Sequence, residues 1–213
     1  MRLALLLFAA ASVALPAAAA TVRVEHGNVL VNGKSVTNAG RDRAAALSPD
    51  GRKLAFVRAG SGKPIADCSA DASGPAAPLE LWTANVDGSG ASKLAVTHTA
   101  AKPEEMVCAF DSLQFSSDGM RLYFETPAWA TSGAIHVYDF AANRERFLIA
   151  GNGLQVLARC RDPKYRDDLI VGQHRYFVFS GSYDWDFLFS PDGKEVGPLG
   201  EGDHTSDVED ACG

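Results

Sequence analysis

Leu47-Ser48-Pro49-Asp50-Gly51-Arg52-Lys53-Leu54-Ala55-Phe56 recurs downstream as Phe115-Ser116-Ser117-Asp118-Gly119-Met120-Arg121-Leu122-Tyr123-Phe124. A third copy, Phe189-Ser190-Pro191-Asp192-Gly193-Lys194, lies near the C-terminus. Repetition decides architecture, because each unit leaves an apolar face that only a neighbouring unit can cover. Asp-Gly is a strong turn signal, since Gly accepts the positive φ that a tight turn requires. The flanking runs are short, apolar or alternating, and no long segment keeps a 3.6-residue period. The pattern reads as all-β and antiparallel.

Working outward from the first phrase, strands are predicted over 44–47 and 53–58 around Asp50-Gly51, then over 79–85 and 92–96 around Asp87-Gly88. The second unit repeats this with 112–115, 121–125, 134–140 and 145–149. A third, more diverged unit offers 154–158, 168–171, 184–189 and 195–199. Ser190-Pro191-Asp192-Gly193 then falls at the last turn of its unit, whereas the first two copies fall at the first turn. Last turns near Asp87, Ala142 and Asp192 are spaced by about 50 residues, the length of one propeller blade. Residues 22–37 add two or three short strands, with turns at His26-Gly27 and Asn32-Gly33.

The first two units are similar to the WD40-like repeat of TolB-type periplasmic β-propellers. Ser48-Pro49-Asp50-Gly51-Arg52-Lys53-Leu54-Ala55-Phe56 opens such a repeat, and Leu81-Trp82-Thr83-Ala84-Asn85-Val86-Asp87-Gly88 closes it. The resemblance weakens in the third unit and is absent before residue 40. It implies a small or partial β-propeller of three to four four-stranded antiparallel blades over residues 21–200. Closure or near-closure is expected, with the N-terminal strands completing the ring. The alternative is an open fan whose exposed edges a partner or a second copy would relieve.

Met1-Arg2, the apolar run 3–15, Pro16 and the small residues 17–20 have the layout of a secretory signal peptide, cleaved before Thr21. The run falls short of the roughly 20 residues that span a bilayer. The chain is therefore expected to be exported to the periplasm, without a lipid-anchoring cysteine or a transmembrane helix. The net charge is −6 with no basic stripe, which argues against nucleic acid or anionic lipid as partners.

Four cysteines, Cys68, Cys108, Cys160 and Cys212, contain no CxxC spacing and in an exported chain point to disulfides. In a four-stranded blade the loop between the middle strands and the connection to the next blade share one rim. On that topology Cys68 meets Cys108, leaving Cys160 to pair with Cys212.

Chemistry is harder to find. HExxH, GxSxG and GxGxxG are absent, and Gly33-Lys34-Ser35 lacks phosphate-loop spacing. No residue pattern calls for a cofactor or a metal. In Tyr183-Asp184-Trp185-Asp186 the two carboxylates point to one strand face, where they can share a cation or act as an acid/base pair. His174-Arg175-Tyr176-Phe177 and Trp129-Ala130-Thr131-Ser132-Gly133 set aromatics beside polar groups near loops, as in peptide or sugar recognition. The segment 201–213 reads as a solvated acidic tail without EF-hand spacing. The expected function is non-enzymatic binding of a protein partner or envelope ligand. The alternative is a small periplasmic hydrolase or lyase acting on glycan or peptide, with Asp184, Asp186 and His174 as its candidate groups.

Overall fold

The computed structural model describes residues 20–65, 68, 76–129, 132–199 and 205–212. The expected signal peptide, all but its last residue, and part of the loop carrying Cys68 lie outside the described residues. So do Ala130, Thr131 and residues 200–204.

Four antiparallel meanders follow one another. Sheet I holds β1 (Val22–Glu25), β2 (Asn28–Val31) and β3 (Lys34–Ser35). Sheet II holds β4 (Asp42–Leu47), β5 (Lys53–Ala59), β6 (Leu79–Asn85) and β7 (Ser92–Val96). Sheet III holds β8 (Asp111–Phe115), β9 (Arg121–Pro127), β10 (Gly133–Asp139) and β11 (Arg144–Ala150). Sheet IV holds β12 (Asn152–Val156), β13 (Leu169–Tyr176), β14 (Ser182–Phe189) and β15 (Glu195–Pro198). One helix, α1 (Thr205–Cys212), follows. Strand periodicity is therefore an accurate guide, and the third Ser-Pro-Asp-Gly does close the last hairpin, β14–β15.

The sheets pack face on face because their middle strands are apolar on both sides. On β5, Leu54 and Phe56 face sheet I, while Ala55 and Val57 face sheet III. On β9, Leu122 and Phe124 join that second core and Tyr123 turns to the next, with Leu169, Val171, Phe187 and Phe189 of sheet IV. A side-chain period of two thus feeds two cores from one strand. The inner strands β4, β8 and β12 lie side by side. The Gln114 amide ties β8 to β12, donating to the Leu154 carbonyl at 2.7 Å and accepting from the Val156 N–H at 2.9 Å.

The two ends differ from the expected ring closure. Val22, Val24, Val29 and Val31 share the inward face of sheet I, and Arg23 and Glu25 form an ion pair on its outward face. The far face of sheet IV is packed by Leu157, Cys160 and Tyr165 of the β12–β13 loop and by Val208 of α1. None of the four cores of described residues joins sheet IV to sheet I. The described sheets form an arc whose last face is covered by a helix. The tail expected to be solvated supplies that helix, because Val208 is buried and Cys212 is bonded to Cys160. Cys68 is bonded to Cys108, linking the β5–β6 loop to the connection before β8.

The repeated phrase builds the same turn twice. Ser48 Oγ donates to Asp50 and accepts from the Lys53 N–H at 2.9 Å, while Asp50 also accepts from the Arg52 N–H at 3.0 Å. These donors hold the Asp50 carboxyl below the usual carboxylate range. Ser116, Asp118, Met120 and Arg121 repeat the bonds. The third copy keeps the serine contact, from the Lys194 N–H at 3.2 Å. Its Asp192 instead pairs with Arg121 of sheet III at 2.9 Å. The basic residue after each of the first two turns reaches the turn of the following sheet. Lys53 Nζ donates to the Gly119 carbonyl at 3.2 Å, and Arg121 donates to the Pro191 carbonyl at 3.1 Å.

Candidate functional site

Six of the seven sequence-predicted binding residues converge on one hairpin, β13–β14. The register sets His174 opposite Asp184, Tyr176 opposite Ser182, and Arg175 opposite Tyr183. His174, Tyr176, Asp184 and Asp186 share the face turned away from sheet III; Arg175, Tyr183 and Trp185 share the face turned toward it. Trp129 stands on the preceding sheet at the equivalent position, the β9–β10 connection. It is 38 % exposed and its ring meets Phe147 edge-on at 6.5 Å.

The lower half of the hairpin is core: Leu169, Val171, Phe187, Leu188 and Phe189 are all buried. Its upper half is solvent-facing. Two polar pairs mark the boundary. His174 Nδ1 lies 2.8 Å from Asp184 Oδ1, and Arg175 grips both carboxylate oxygens of Glu195 at 3.2 and 2.6 Å. The Arg175 guanidinium also lies 3.6 Å over the Phe187 ring, a cation–π contact that stiffens the strand. The Tyr183 ring lies between those of Phe177 at 4.8 Å and Trp185 at 4.6 Å, tilted against both.

Beyond these pairs the chain is apolar from Tyr176 to Phe179 before it turns through Ser180, Gly181 and Ser182. Tyr176 is 76 % exposed, Phe177 54 %, Val178 94 % and Phe179 99 %. The tip is closed by the Phe177 N–H donating to the Gly181 carbonyl at 3.0 Å. Sequence reading singled out Tyr176 and missed Val178 and Phe179. The signal was present: four consecutive apolar residues bounded by Arg175 and the Ser180-Gly181 turn are out of place in a solvated loop. It also ended β13 at Val171, because Gly172-Gln173-His174-Arg175 carries little strand propensity. Pairing with β14 carries the strand five residues further.

Asp184 and Asp186 share a face as expected, but their surroundings differ. Asp184 is taken up by His174. Asp186 borders a cavity of about 770 Å³ at the centre of the arc, with Leu47 and Leu113 of the inner strands and Val208 and Glu209 of α1. Among the described residues no group of three His, Cys, Asp or Glu is arranged to hold a metal, and no helix is long and apolar enough to cross a membrane. Asp168, which precedes β13, is the carboxyl pushed furthest, up to about 6, by burial and then by the adjacent Asp167 charge. It stands apart from the residues proposed for catalysis. A second residue without a sequence signal is His136. It is fully buried between Phe124 and Phe147, with Nδ1 on Glu145 and Nε2 unbonded.

A family model described as the S4 domain matches residues 1–42, less than half the chain. Its described part is sheet I and the connection into β4. No curated protein matches. Solved structures do. The β-propeller domain of the Trilobed protease from Pyrococcus furiosus, described as having an open velcro topology, superposes with a TM-score of 0.53. It is 14 % identical, over 85 % of this chain and 53 % of that one. Pyrococcus horikoshii acylaminoacyl peptidase gives 0.50 at 14 % identity, over 85 % of this chain and 30 % of that one. A TolB structure from Agrobacterium tumefaciens gives 0.46 at 14 % identity, over 81 % of this chain and 55 % of that one. This chain thus spans about half the length of the propeller domain it matches, and what the likeness to the two Pyrococcus proteins establishes is the fold: all-β, of β-propeller type.

Proposed function

We propose that this chain is an exported, periplasmic member of the TolB-like propeller group that acts by binding rather than by catalysis. In this reading the upper β13–β14 hairpin is the surface it presents to a protein or another envelope component. The observation that carries the proposal is the run Tyr176-Phe177-Val178-Phe179, exposed on a hairpin whose lower half is firmly anchored in core. A large apolar surface held rigidly in water is a cost to a free protein, and its common explanation is an interaction. Two disulfides fit residence in an oxidising compartment, in keeping with a signal peptide over residues 1–20. Homo-oligomer formation is not required to complete the arc, since α1 and the polar face of sheet I cover its described ends.

The hydrolase alternative is weaker on geometry. An acid/base pair gains from a recess that excludes water. The His174–Asp184 pair is open to solvent, with the Asp184 side chain 81 % exposed.

The test is photo-crosslinking in the producing cell, with the crosslinker at Val178 or, as a control, at Glu104. A discrete adduct from Val178 alone supports the reading. Adducts from both positions, or from neither, remove it. The mass of the isolated protein tests export: a chain beginning at Thr21 is expected, and an intact Met1 terminus counts against it.

A further inference from the structure

We infer that the β13–β14 tip docks by inserting into the interface of an uncharged lipid bilayer, an inference that rests on the binding reading above and names its partner. The argument is the order of side chains along the hairpin. The outermost are Val178 and Phe179, 94 % and 99 % exposed, with no polar group of their own. One step back stands Tyr176, 76 % exposed, an aromatic with a polar edge, set opposite Ser182. Behind it come Arg175, paired with Glu195, and His174, in hydrogen-bond contact with Asp184. Apolar apex, amphipathic Tyr176 and then charged and polar pairs follow the depth profile of a bilayer surface: acyl chains, headgroup boundary, water.

Dimensions agree. From Arg175 to Phe177, where the turn closes, two residues of extended chain advance roughly 7 Å. Interfacial segments bury their apolar side by about 5–10 Å. The charged layer would then rest at the headgroups while the apex enters the acyl boundary. The tip is small, with three residues (Val178, Phe179 and Ser180) inside the bond from the Phe177 N–H to the Gly181 carbonyl, a size suited to a deformable medium that closes around it. Of the charges near it, Arg175 is paired with Glu195 and Asp184 and Asp186 are carboxylates, and the chain as a whole is acidic at −6. Attraction to anionic headgroups therefore contributes little, and apolar burial supplies the affinity. The tilted ring contacts of Phe177, Tyr183 and Trp185 and the Arg175–Phe187 contact order the stem beneath the tip before docking.

The experiment is flotation of the disulfide-intact protein with phosphatidylcholine vesicles, at low and at high sodium chloride. The wild type is compared with a variant carrying Val178→Ser and Phe179→Ser. Both side chains are outside the core, so the variant is expected to melt where the wild type does. Partitioning that is indifferent to salt and at least tenfold weaker in the variant supports the inference. It is overturned by no flotation, by equal flotation of both proteins, or by flotation that needs phosphatidylglycerol and vanishes in salt. A dimer in light scattering that the variant dissolves, without flotation, assigns the tip to a second copy and likewise overturns it. A discrete protein adduct at Val178 without flotation removes the lipid and leaves the binding reading standing.

Discussion

The β9–β10 hairpin of sheet III and the β13–β14 hairpin of sheet IV occupy the same place in successive meanders, yet they live in different surroundings. In β9–β10, Leu122, Tyr123, Phe124, Ala134, Ile135, His136 and Val137 are all at 0 % exposure, because a sheet lies on either side. In β13–β14 only the half nearest the arc's centre is buried, since a sheet covers one face while an eight-residue helix and a loop cover part of the other. Position in the stack, more than local sequence, decides whether a hairpin is core or surface. The last sheet has the freedom to carry a binding feature.

The strongest way to break this comparison is to remove core from the enclosed hairpin. Phe124→Ala is expected to lose about 3–5 kcal/mol, from lost burial and the cavity left behind, as read by urea unfolding with disulfides intact. A loss under about 1 kcal/mol would mean that sheet III is not held from both sides.

Next is the cover of sheet IV. Replacing Cys160 and Cys212 together by Ser opens a link across 52 residues. The expected cost is about 2–4 kcal/mol. Hydrogen exchange should rise in α1 and β15 and stay slow in β9–β10. Equal loosening of both hairpins would show that the helix is not a local cap.

A smaller effect concerns Asp168 at the base of the exposed hairpin. Its carboxyl is raised from 3.8 to about 6. A raised acid binds its proton more tightly folded than unfolded, so its contribution favours folding most below pH 3.8 and weakens as pH climbs through about 6. Asp168→Asn should remove this fall and be more stable than the wild type at pH 7.5 by about 1–2 kcal/mol, after allowance for solvent screening. Parallel stability curves for the two proteins between pH 4 and pH 7.5 would refute the assignment. The smallest effect sharpens the contrast from the other side. Phe179→Ser should leave stability within about 0.5 kcal/mol, and a large loss would show that the tip is packed after all.

What could be read in advance follows from where each signal originates. The turns at Asp50-Gly51 and Asp118-Gly119 and the strands beside them are local, and residue type alone marks them. The six hairpin residues from His174 to Asp186 drew attention as polar–aromatic mixtures, and the fold does bring them together. Three features were less visible. β13 extends through Gln173 and Arg175 because a partner strand supplies its hydrogen bonds. α1 has few apolar residues, and its place depends on Val208 and a disulfide formed across the fold. Val178 and Phe179 stand in an apolar run that the sequence does show, but that no neighbour covers them is a property of the stack.

The side chains of Lys53 and Arg121 carry a mechanical meaning. Each springs from the start of a second strand and lands on the turn of the sheet ahead, on Gly119 in one case and on Pro191 and Asp192 in the other. Apolar faces alone can slide, since oily contacts have no direction. A cation fastened to a fixed carbonyl has one. The two residues act as pawls at the rim, setting the angle through which each sheet is turned from the last. In sheet IV the register shortens by one, Glu195 follows Lys194, and the acid turns back to Arg175 of its own sheet. The series of rim latches ends there, and the residue that would have extended it braces the exposed hairpin instead.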